Sequence, residues 1–454
     1  MPNDTPAPAA FGTRAALPRV WSLAWPLILS NITVPLLGLV DTAVLGHLPQ
    51  KQYIGAVALG ATLFSFLFWG FGFLRMGVTG LTAQALGRGN HAGVILLLGR
   101  SLLLAAMLGL ALIALRPLLV PFGLALLDGS PKVTTLAADY AAIRIAAAPA
   151  VLANYALIGW FLGLQRSRVT LLLMLINNGV NIVLDLLFVL GLGMAVAGVA
   201  AATAIAAYVA LFSGLWLALA ACRKLRVRPA LLQLCDWQAY RQLLSANSTL
   251  FVRTLALLFA MAFFNARSAG QGDLILAANT VLFQFILLTS FALDGFAHAT
   301  ESLTGEAVGR RSRQALSAYL RAASWCCLLS ACAMSLLFYG AGDLLIALLT
   351  DLPEVRHAAA VYLPWLWLMP LAAVWCYLLD GLFIGLMRTR AMRDSVLIAV
   401  LLVYLPSWYV TQGWGNHGLW LAFVLFHVAR GAGLGWVLLR HPLASALRGT
   451  ARAS

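Results

Sequence analysis

The fold of this chain is decided by the stretch GWFLGLQRSR at residues 159–168, which recurs as GLFIGLMRTR at residues 381–390. A second pair of stretches, LTAQALGRGN at 81–90 and LTGEAVGRRS at 303–312, is separated by the same 222 residues. Two independent matches at one offset, close to half of the 454 residues, indicate a tandem duplication. The first pair also carries a Gly-x-x-x-Gly spacing in both copies, which predicts close helix packing.

The composition places the chain in a membrane. Hydrophobic residues make up 62% of it and charged residues only 10%, whereas a soluble domain carries about 25% charged residues. Apolar runs of roughly 20 residues each predict an all-α integral membrane protein with twelve spanning helices. No cleavable signal peptide is expected, because the first 20 residues are polar and rich in Pro and Ala. The predicted spans are approximately 20–46, 55–80, 94–116, 133–160, 168–190, 195–221, 240–266, 274–302, 315–342, 357–385, 394–414 and 417–439.

The duplication divides these helices into two lobes of six. Because six is an even number, both copies insert the same way up and form a parallel tandem repeat. The predicted boundaries are 1–221 for the N-lobe, 222–239 for a basic cytoplasmic linker and 240–454 for the C-lobe. In such a plan the substrate pathway lies in the cleft between the lobes.

The net charge of +15 is explained by the loops. Of the 30 Lys and Arg residues, 21 fall on predicted inner segments and five on outer ones, which places both termini in the cytoplasm. No nucleic-acid partner is therefore needed to explain the charge. The six Cys form no CxxC pair and are expected to be reduced core residues. No enzyme or cofactor motif is present, so we expect neither catalysis nor a bound cofactor.

Two acids interrupt the apolar runs of the first half. Asp41 lies in the first predicted helix and Asp185 in the fifth, where an ionisable residue is a functional hypothesis by default. Asn181 shares a helix face with Asp185, and hydroxyls from Thr203 and Tyr140 are available on neighbouring helices. These oxygens can hold a proton, and all but that of Tyr140 are candidate ligands for a hard cation such as Na⁺. The alternative is that each Asp caps a kink or pairs with a buried Arg.

The second half carries a different set of polar residues. Asp294, His298 and Glu301 follow one helical stripe, and Asp380 lies in the tenth predicted helix. Arg253 lies in the seventh helix. These five residues either line a substrate cleft or form a structural salt-bridge network, and the sequence leaves both readings open.

Several motifs together resemble the multidrug and toxic compound extrusion (MATE) transporters, in the branch named for the DNA-damage-inducible DinF protein. The motifs are VDTAVLGHL (40–48), LTAQALGRGN (81–90), NNGVNIVLD (177–185), FALDGFAHATE (291–301) and YLLDGLFIG (377–385). The resemblance covers nearly all of the chain. It implies two six-helix lobes that form a V around a central cavity.

The resemblance also implies an activity, namely secondary active antiport. H⁺ or Na⁺ enters and an amphipathic, often cationic, organic compound leaves, which confers drug resistance. We expect a monomer in the bacterial cytoplasmic (inner) membrane whose partners are such compounds and membrane lipid. In this branch the N-lobe acids couple transport, which carries over to the five first-half residues named above. Other branches use a Glu in the seventh helix, where this chain has Arg253.

Two other functions were weighed against antiport. A flippase for lipid-linked or polysaccharide precursors should line its cleft with Arg. Arg75, Arg144 and Arg253 are available for this, but acids within the predicted spans are as numerous as these arginines. A non-transporting scaffold or receptor would not need a duplicated bundle with buried acids. The sequence therefore favours the antiporter.

Overall fold

The computed structural model describes residues 12–46, 51–127, 130–225, 227, 229, 233–234, 236–441 and 443, and inside the helices it excludes the side chains of residues 34–37, 39, 41, 42, 46, 51, 242 and 246. The described part contains helices and no strand. Its α-helices are α1 (Thr13–Gly46), α2 (Lys51–Trp69), α3 (Phe73–Gly87), α4 (His91–Ala114), α5 (Arg116–Leu126), α6 (Pro131–Arg144), α7 (Ala148–Gly163), α8 (Ser167–Asp185), α9 (Ala195–Lys224), α10 (Trp237–Ala269), α11 (Asp273–Gly309), α12 (Arg313–Leu349), α13 (Pro353–Gly385), α14 (Thr389–Ile398), α15 (Leu405–Thr411) and α16 (Asn416–Arg440).

The predicted membrane spans are confirmed. Within the described residues, eleven helical stretches are long and apolar enough to cross a bilayer, and they coincide with the second to the twelfth predicted span. The 34-residue helix α1 covers the first predicted span. Span positions follow from the length of an apolar run, because a helix must bridge a hydrocarbon layer of about 30 Å.

Several spans are not continuous α-helices. The fourth consists of α6 and α7, joined by a 3₁₀ turn at Ile145–Ala147. Pro149 follows at the start of α7 and lacks the N–H that a continuous helix would need. A π-helical turn at Leu186–Gly191 extends α8, and another at Ala399–Tyr404 joins α14 to α15 just before Pro406. Single π turns inside α-helices are frequent at functional sites.

One helix was not predicted. The segment Arg116–Leu126 was assigned to an outer loop from the sequence, and in the structure it forms α5. Pro117 stands in the first turn of this helix, where a missing N–H carries no cost. Eleven residues of α-helix span only about 16 Å, so α5 is too short to cross the membrane and the number of spans is unchanged.

Repeat-related glycines bring equivalent helices together in the two halves. A Cβ atom at Gly159 of α7 would collide with the backbone of Arg75 in α3. A Cβ atom at Gly381 of α13 would collide with the backbone of Ala297 in α11. Because no side chain fits at either position, the predicted close packing at the Gly-x-x-x-Gly spacing is confirmed in both copies.

Residue contacts divide the chain into two compact units. One unit comprises the residues up to Ile28, Leu86–Arg88 and the residues from Leu255 onwards. The other comprises Leu29–Ala85 and Gly89–Thr254. Helices α1 and α10, the first helices of the two repeats, are therefore each shared between units. The predicted lobe boundaries at residues 221 and 240 follow the repeat instead, and they stay a prediction.

Candidate functional site

Helix α8 places its polar side chains on one face. Asn178, Asn181 and Asp185 follow a spacing of i, i+3 and i+7, and all three are buried, Asn181 and Asp185 with 0% exposure. Leu172 and Val183 lie on the far side of the helix and are exposed. The helix thus turns its apolar side outward and its polar side toward the protein, as a lipid-facing span must.

The amide of Asn181 lies between Asp185 and Thr203 of α9. With Nδ2 directed at Asp185, Asn181 donates to Oδ2 of the carboxylate at 2.9 Å, and its Oδ1 accepts from the Thr203 hydroxyl at 3.0 Å. In the opposite amide orientation Nδ2 donates to Thr203 Oγ1 at the same 3.0 Å. Three residues predicted from the sequence, Asn181, Asp185 and Thr203, thus lie close together at the buried carboxylate of Asp185.

The chemistry of this cluster suits a small cation. Burying a carboxylate is costly, because the charge is removed from water. A proton, or a hard cation held by the carboxylate, amide and hydroxyl oxygens, would neutralise the charge. Across the described ranges, no group of three or more His, Cys, Asp or Glu side chains is arranged to hold a metal ion.

A hydrogen bond joins this face of α8 to α1. Asn178 donates from Nδ2 to the hydroxyl of Thr33 at 2.9 Å, and the Thr33 hydroxyl in turn donates to the Ser30 carbonyl at 2.7 Å. The contact fixes how α1 and α8 are aligned along their length. Sequence reasoning missed Thr33, because a threonine in an apolar run carries no signal of its partner.

The structure gives less information about two predicted site residues, Asp41 and Tyr140. Asp41 belongs to α1, and its side chain lies outside the described part of the chain. Tyr140 of α6 is buried, and its ring packs against Gly60 and lies 6.4 Å from the ring of Phe64. That both residues join the Asn181–Asp185–Thr203 cluster stays a prediction.

In the second half, Asp380 forms a buried ion pair with Arg430 of α16. Nη2 of Arg430 lies 2.8 Å from Oδ2 of Asp380, and the two residues are only 4% and 7% exposed. The guanidinium also lies over the ring of Phe426, 5.4 Å from its centre. Arg430 lies fifty residues from Asp380 along the chain, and the sequence analysis did not single it out as a partner.

The other predicted second-half residues lie on α10 and α11. His298 and Glu301 approach each other on α11, with Nδ1 and Oε2 3.6 Å apart, and Glu301 is fully buried. Asp294 is half-buried on the same helix. Arg253 is buried on α10 and belongs to the other compact unit. Their role in a substrate cleft stays a prediction.

One buried acid escaped the sequence analysis. Glu306 lies beyond the predicted span 274–302, but α11 continues to Gly309 and Glu306 is buried inside it. Its carboxylate pairs with Arg19 of α1 at 3.0 Å and with Arg310 at 2.6 Å. Arg19 also donates to the hydroxyl of Tyr319 at 2.6 Å. The repeat held a signal, since Gln84 stands at the matching position of the first half.

Two further arginines lie in the turns that follow α3 and α11. Burial, and to a lesser degree the positive charge of Arg311, lowers the pKa of Arg88. Like charges brought together at one end of the helices need counter-charges, which Glu306 supplies for the neighbouring Arg310. These residues belong to one compact unit and the Asp185 cluster to the other.

The tandem repeat reappears in a comparison with known families. A family model described as MatE matches residues 26–187 and again residues 249–410, two stretches of equal length that together cover more than half of the chain. The chain belongs to the MatE family. The resemblance noted in the sequence is thereby confirmed.

Individual MatE relatives and structures agree with this assignment. The DNA damage-inducible protein F of Escherichia coli strain K12 is 42% identical over 424 residues, which are 93% of this chain and 92% of the relative. The probable multidrug resistance protein NorM of Caulobacter vibrioides is 30% identical over 200 residues, 42% of each chain. A crystal structure of a MATE protein in complex with MaD3S has a TM-score of 0.85 at 22% identity, covering 96% of this chain and 97% of the other.

These likenesses establish the class of the protein. The solved structure, at 22% identity, shows that the fold is shared, and the family match together with the 42% identical relative shows the lineage. The chain is a membrane-spanning MatE transporter and not an enzyme, as the sequence predicted.

Proposed function

We propose that this MatE protein is a secondary active antiporter that exports amphipathic, often cationic, organic compounds in exchange for H⁺ or Na⁺. The names of its relatives support efflux, since NorM of Caulobacter vibrioides is described as a probable multidrug resistance protein. We place the protein in the bacterial cytoplasmic membrane with both termini in the cytoplasm, as the distribution of Lys and Arg favours.

The observation that carries the proposal is the fully buried carboxylate of Asp185, hydrogen-bonded through Asn181 toward Thr203. A transporter needs a group whose charge changes during the cycle, and a carboxylate in a membrane span is such a group. The three side chains lie on two adjacent helices, so a movement between α8 and α9 would alter the site.

The contact between Thr33 and Asn178 supports the inclusion of Asp41. From this contact, Asp41 lies eight residues further along α1 and Asp185 seven residues further along α8. At 1.5 Å per residue these steps are about 12 Å and about 10 Å. The first and fifth spans run in the same direction, because three spans lie between them and successive spans alternate in direction. Both acids therefore reach similar depth in the membrane, where two negative charges would favour the uptake of a proton or cation.

The proposed cycle follows from this placement. When the site on α1 and α8 takes up H⁺ or Na⁺, its charge is neutralised, the helices rearrange and the bound compound is released outside. Loss of the ion to the cytoplasm restores the charge and the affinity for the next compound. Asp294, His298, Glu301 and Arg253 are proposed to line the substrate pathway.

Precursor flipping finds less support, because the observed surroundings of the basic residues do not favour an anion-binding cleft. The guanidinium of Arg144 lies over the rings of Phe64 and Phe68, at 5.7 and 5.2 Å from their centres. Arg430 is neutralised by Asp380. These two cations are engaged within the protein and offer no head-group site.

The proposal is tested by drug resistance in a bacterial host that lacks its own efflux pumps. Asp41→Asn and Asp185→Asn each remove the charge and keep the side-chain shape. Both variants should lose resistance while protein levels stay equal to wild type. Asp343→Asn, the same change at an exposed acid of α12, is the matched control and should keep resistance. Full resistance in Asp185→Asn would refute the proposal.

A further inference from the structure

Helix α12 is the span with the least burial among the described residues. Large side chains such as Leu329, Leu336 and Tyr339 are exposed along one side of it. In a membrane protein, such a side contacts lipid. The N-terminal end of α12 is strongly basic, because Arg310 and Arg311 precede its first turn and Arg313 lies in that turn.

A shallow concavity lies between α12 and α13 near this basic end. It is lined by Arg321, Ser324, Trp325 and Leu328 of α12 and by Trp375 of α13, and we call it the α12–α13 groove. Its volume is about 190 Å³, which is below the roughly 300–1,000 Å³ of pockets that enclose drug-sized ligands. The groove therefore suits one part of a larger, partly exposed molecule.

The polar groups of the groove can donate hydrogen bonds but include no acid. Within the described residues, Arg321 forms no ion pair, and its guanidinium makes one long hydrogen bond, from Nε to the Ser317 carbonyl at 3.3 Å. Other arginines at helix ends are paired, as Arg310 is with Glu306 and Arg393 with Asp394.

Two indoles flank this arginine. Trp325 and Trp375 are 65% and 45% exposed, and neither indole N–H is engaged by another described residue. Tryptophan is enriched where a protein meets the boundary between hydrocarbon and head groups. A cation with two indole donors beside an apolar floor is complementary to a negatively charged, amphipathic ligand.

The position of the groove along the helices matches the head-group boundary. Helix α12 has 37 residues, about 55 Å, and therefore extends beyond a hydrocarbon layer of about 30 Å. Arg321 is eight residues, or about 12 Å, from the start of α12. Trp375 is ten residues, or about 15 Å, from the end of α13. The cation and the indoles therefore lie at about the depth where phosphates meet acyl chains.

We propose that the α12–α13 groove binds one anionic phospholipid of the adjacent leaflet. The phosphate accepts hydrogen bonds from Arg321 and the indoles, and the acyl chain lies along Trp325, Leu328 and Trp375. A zwitterionic lipid fits the apolar part equally well but carries an ammonium group that opposes Arg321. The site is selective for net negative charge.

Native mass spectrometry of the purified full-length protein tests the proposal. The probes are phosphatidylglycerol and phosphatidylcholine with identical acyl chains, each titrated against wild type, Arg321→Gln and Trp325→Leu. Wild type should retain phosphatidylglycerol in preference to phosphatidylcholine. Arg321→Gln should weaken phosphatidylglycerol binding about five-fold, the effect of one arginine at a membrane surface, and should weaken phosphatidylcholine binding less, so that the preference between the two lipids falls.

Arg313→Gln is the matched control, because Arg313 is an exposed arginine at the same end of the same helix but outside the groove. It should leave the preference intact. An equal loss in Arg313→Gln and Arg321→Gln would show a diffuse basic surface and overturn the site. A dimer that dissociates in Trp325→Leu would show that a second copy of the chain occupies the groove, and would overturn the proposal as well.

Discussion

The ion pair between Asp380 and Arg430 offers a quantitative test of why an acid is buried in the second half. Both residues are nearly inaccessible, and the charged atoms are 2.8 Å apart. Replacing Arg430 by Met leaves a carboxylate buried without its cation, and replacing Asp380 by Leu leaves the guanidinium without its anion. Each single change should lower the free energy of unfolding by about 3–5 kcal/mol.

The double variant Asp380→Leu/Arg430→Met should behave differently. It replaces the pair by two apolar side chains, and such replacements are often neutral or stabilising by about 1–4 kcal/mol. The stability of the double variant should therefore be close to that of wild type, so the coupling energy between the two sites should be about 6–10 kcal/mol, the sum of the two single losses. The loss of the Arg430 contact with the Phe426 ring subtracts about 0.5–1 kcal/mol at most.

The assay is unfolding of the purified protein in mixed micelles with an increasing fraction of SDS, followed by tryptophan fluorescence. Transport is measured on the same preparations. We infer from the buried ion pair with Arg430 that Asp380 has a structural role, so the double variant should transport at close to the wild-type rate. The reasoning is refuted if the double variant is as unstable as the single ones, or if it is stable and inactive.

Two further predictions concern helix contacts. Asn178→Ala and Thr33→Val should each destabilise the protein by about 1 kcal/mol. The double variant should be destabilised by little more than either single variant, because both changes remove the same hydrogen bond. Additive losses in a double-mutant cycle would contradict this prediction. Gly381→Ala should strongly reduce the yield of folded protein, because its Cβ would meet the backbone of Ala297, whereas Gly340→Ala on α12, with open space around it, should be tolerated. Gly381→Ala and Gly340→Ala are compared by size-exclusion chromatography of detergent extracts. Equal profiles of the two variants would contradict the packing argument.

The spans and the site helix were predictable because their signals are local. Apolar length alone located the spans, and the helical spacing of Asn181 and Asp185 predicted their common face. The proximity of Thr203 to Asn181 was also anticipated, since successive spans of a bundle are neighbours. In each case the information lies within one helix or between adjacent ones.

The features that escaped prediction depend on contacts between distant residues. Arg430 could not be matched to Asp380 from spacing, because fifty residues and an entire span separate them. Glu306 lies beyond the predicted span 274–302, and its pairing with Arg19 cannot be identified from the sequence. In the structure α11 continues to Gly309, and the counter-charges of Glu306 are Arg19, almost three hundred residues away, and Arg310.

The division of the chain into compact units could not be read from the repeat either. The repeat predicts where each copy begins, and the first helix of each copy is shared between two units. Which neighbours a helix half contacts is set by packing at positions such as Gly295, whose missing side chain accommodates Ile28 of α1. A sequence comparison at one offset does not contain that information.

Transport driven by ion gradients in proteoliposomes tests the central claim most directly. Wild-type protein and Asp185→Asn are reconstituted, and uptake of a fluorescent organic cation is measured with a pH gradient alone and with a Na⁺ gradient alone. Wild type should respond to at least one gradient, and Asp185→Asn should respond to neither while still binding the compound. Equal gradient-driven uptake by the two proteins would contradict the assignment of coupling to the buried carboxylate on α8.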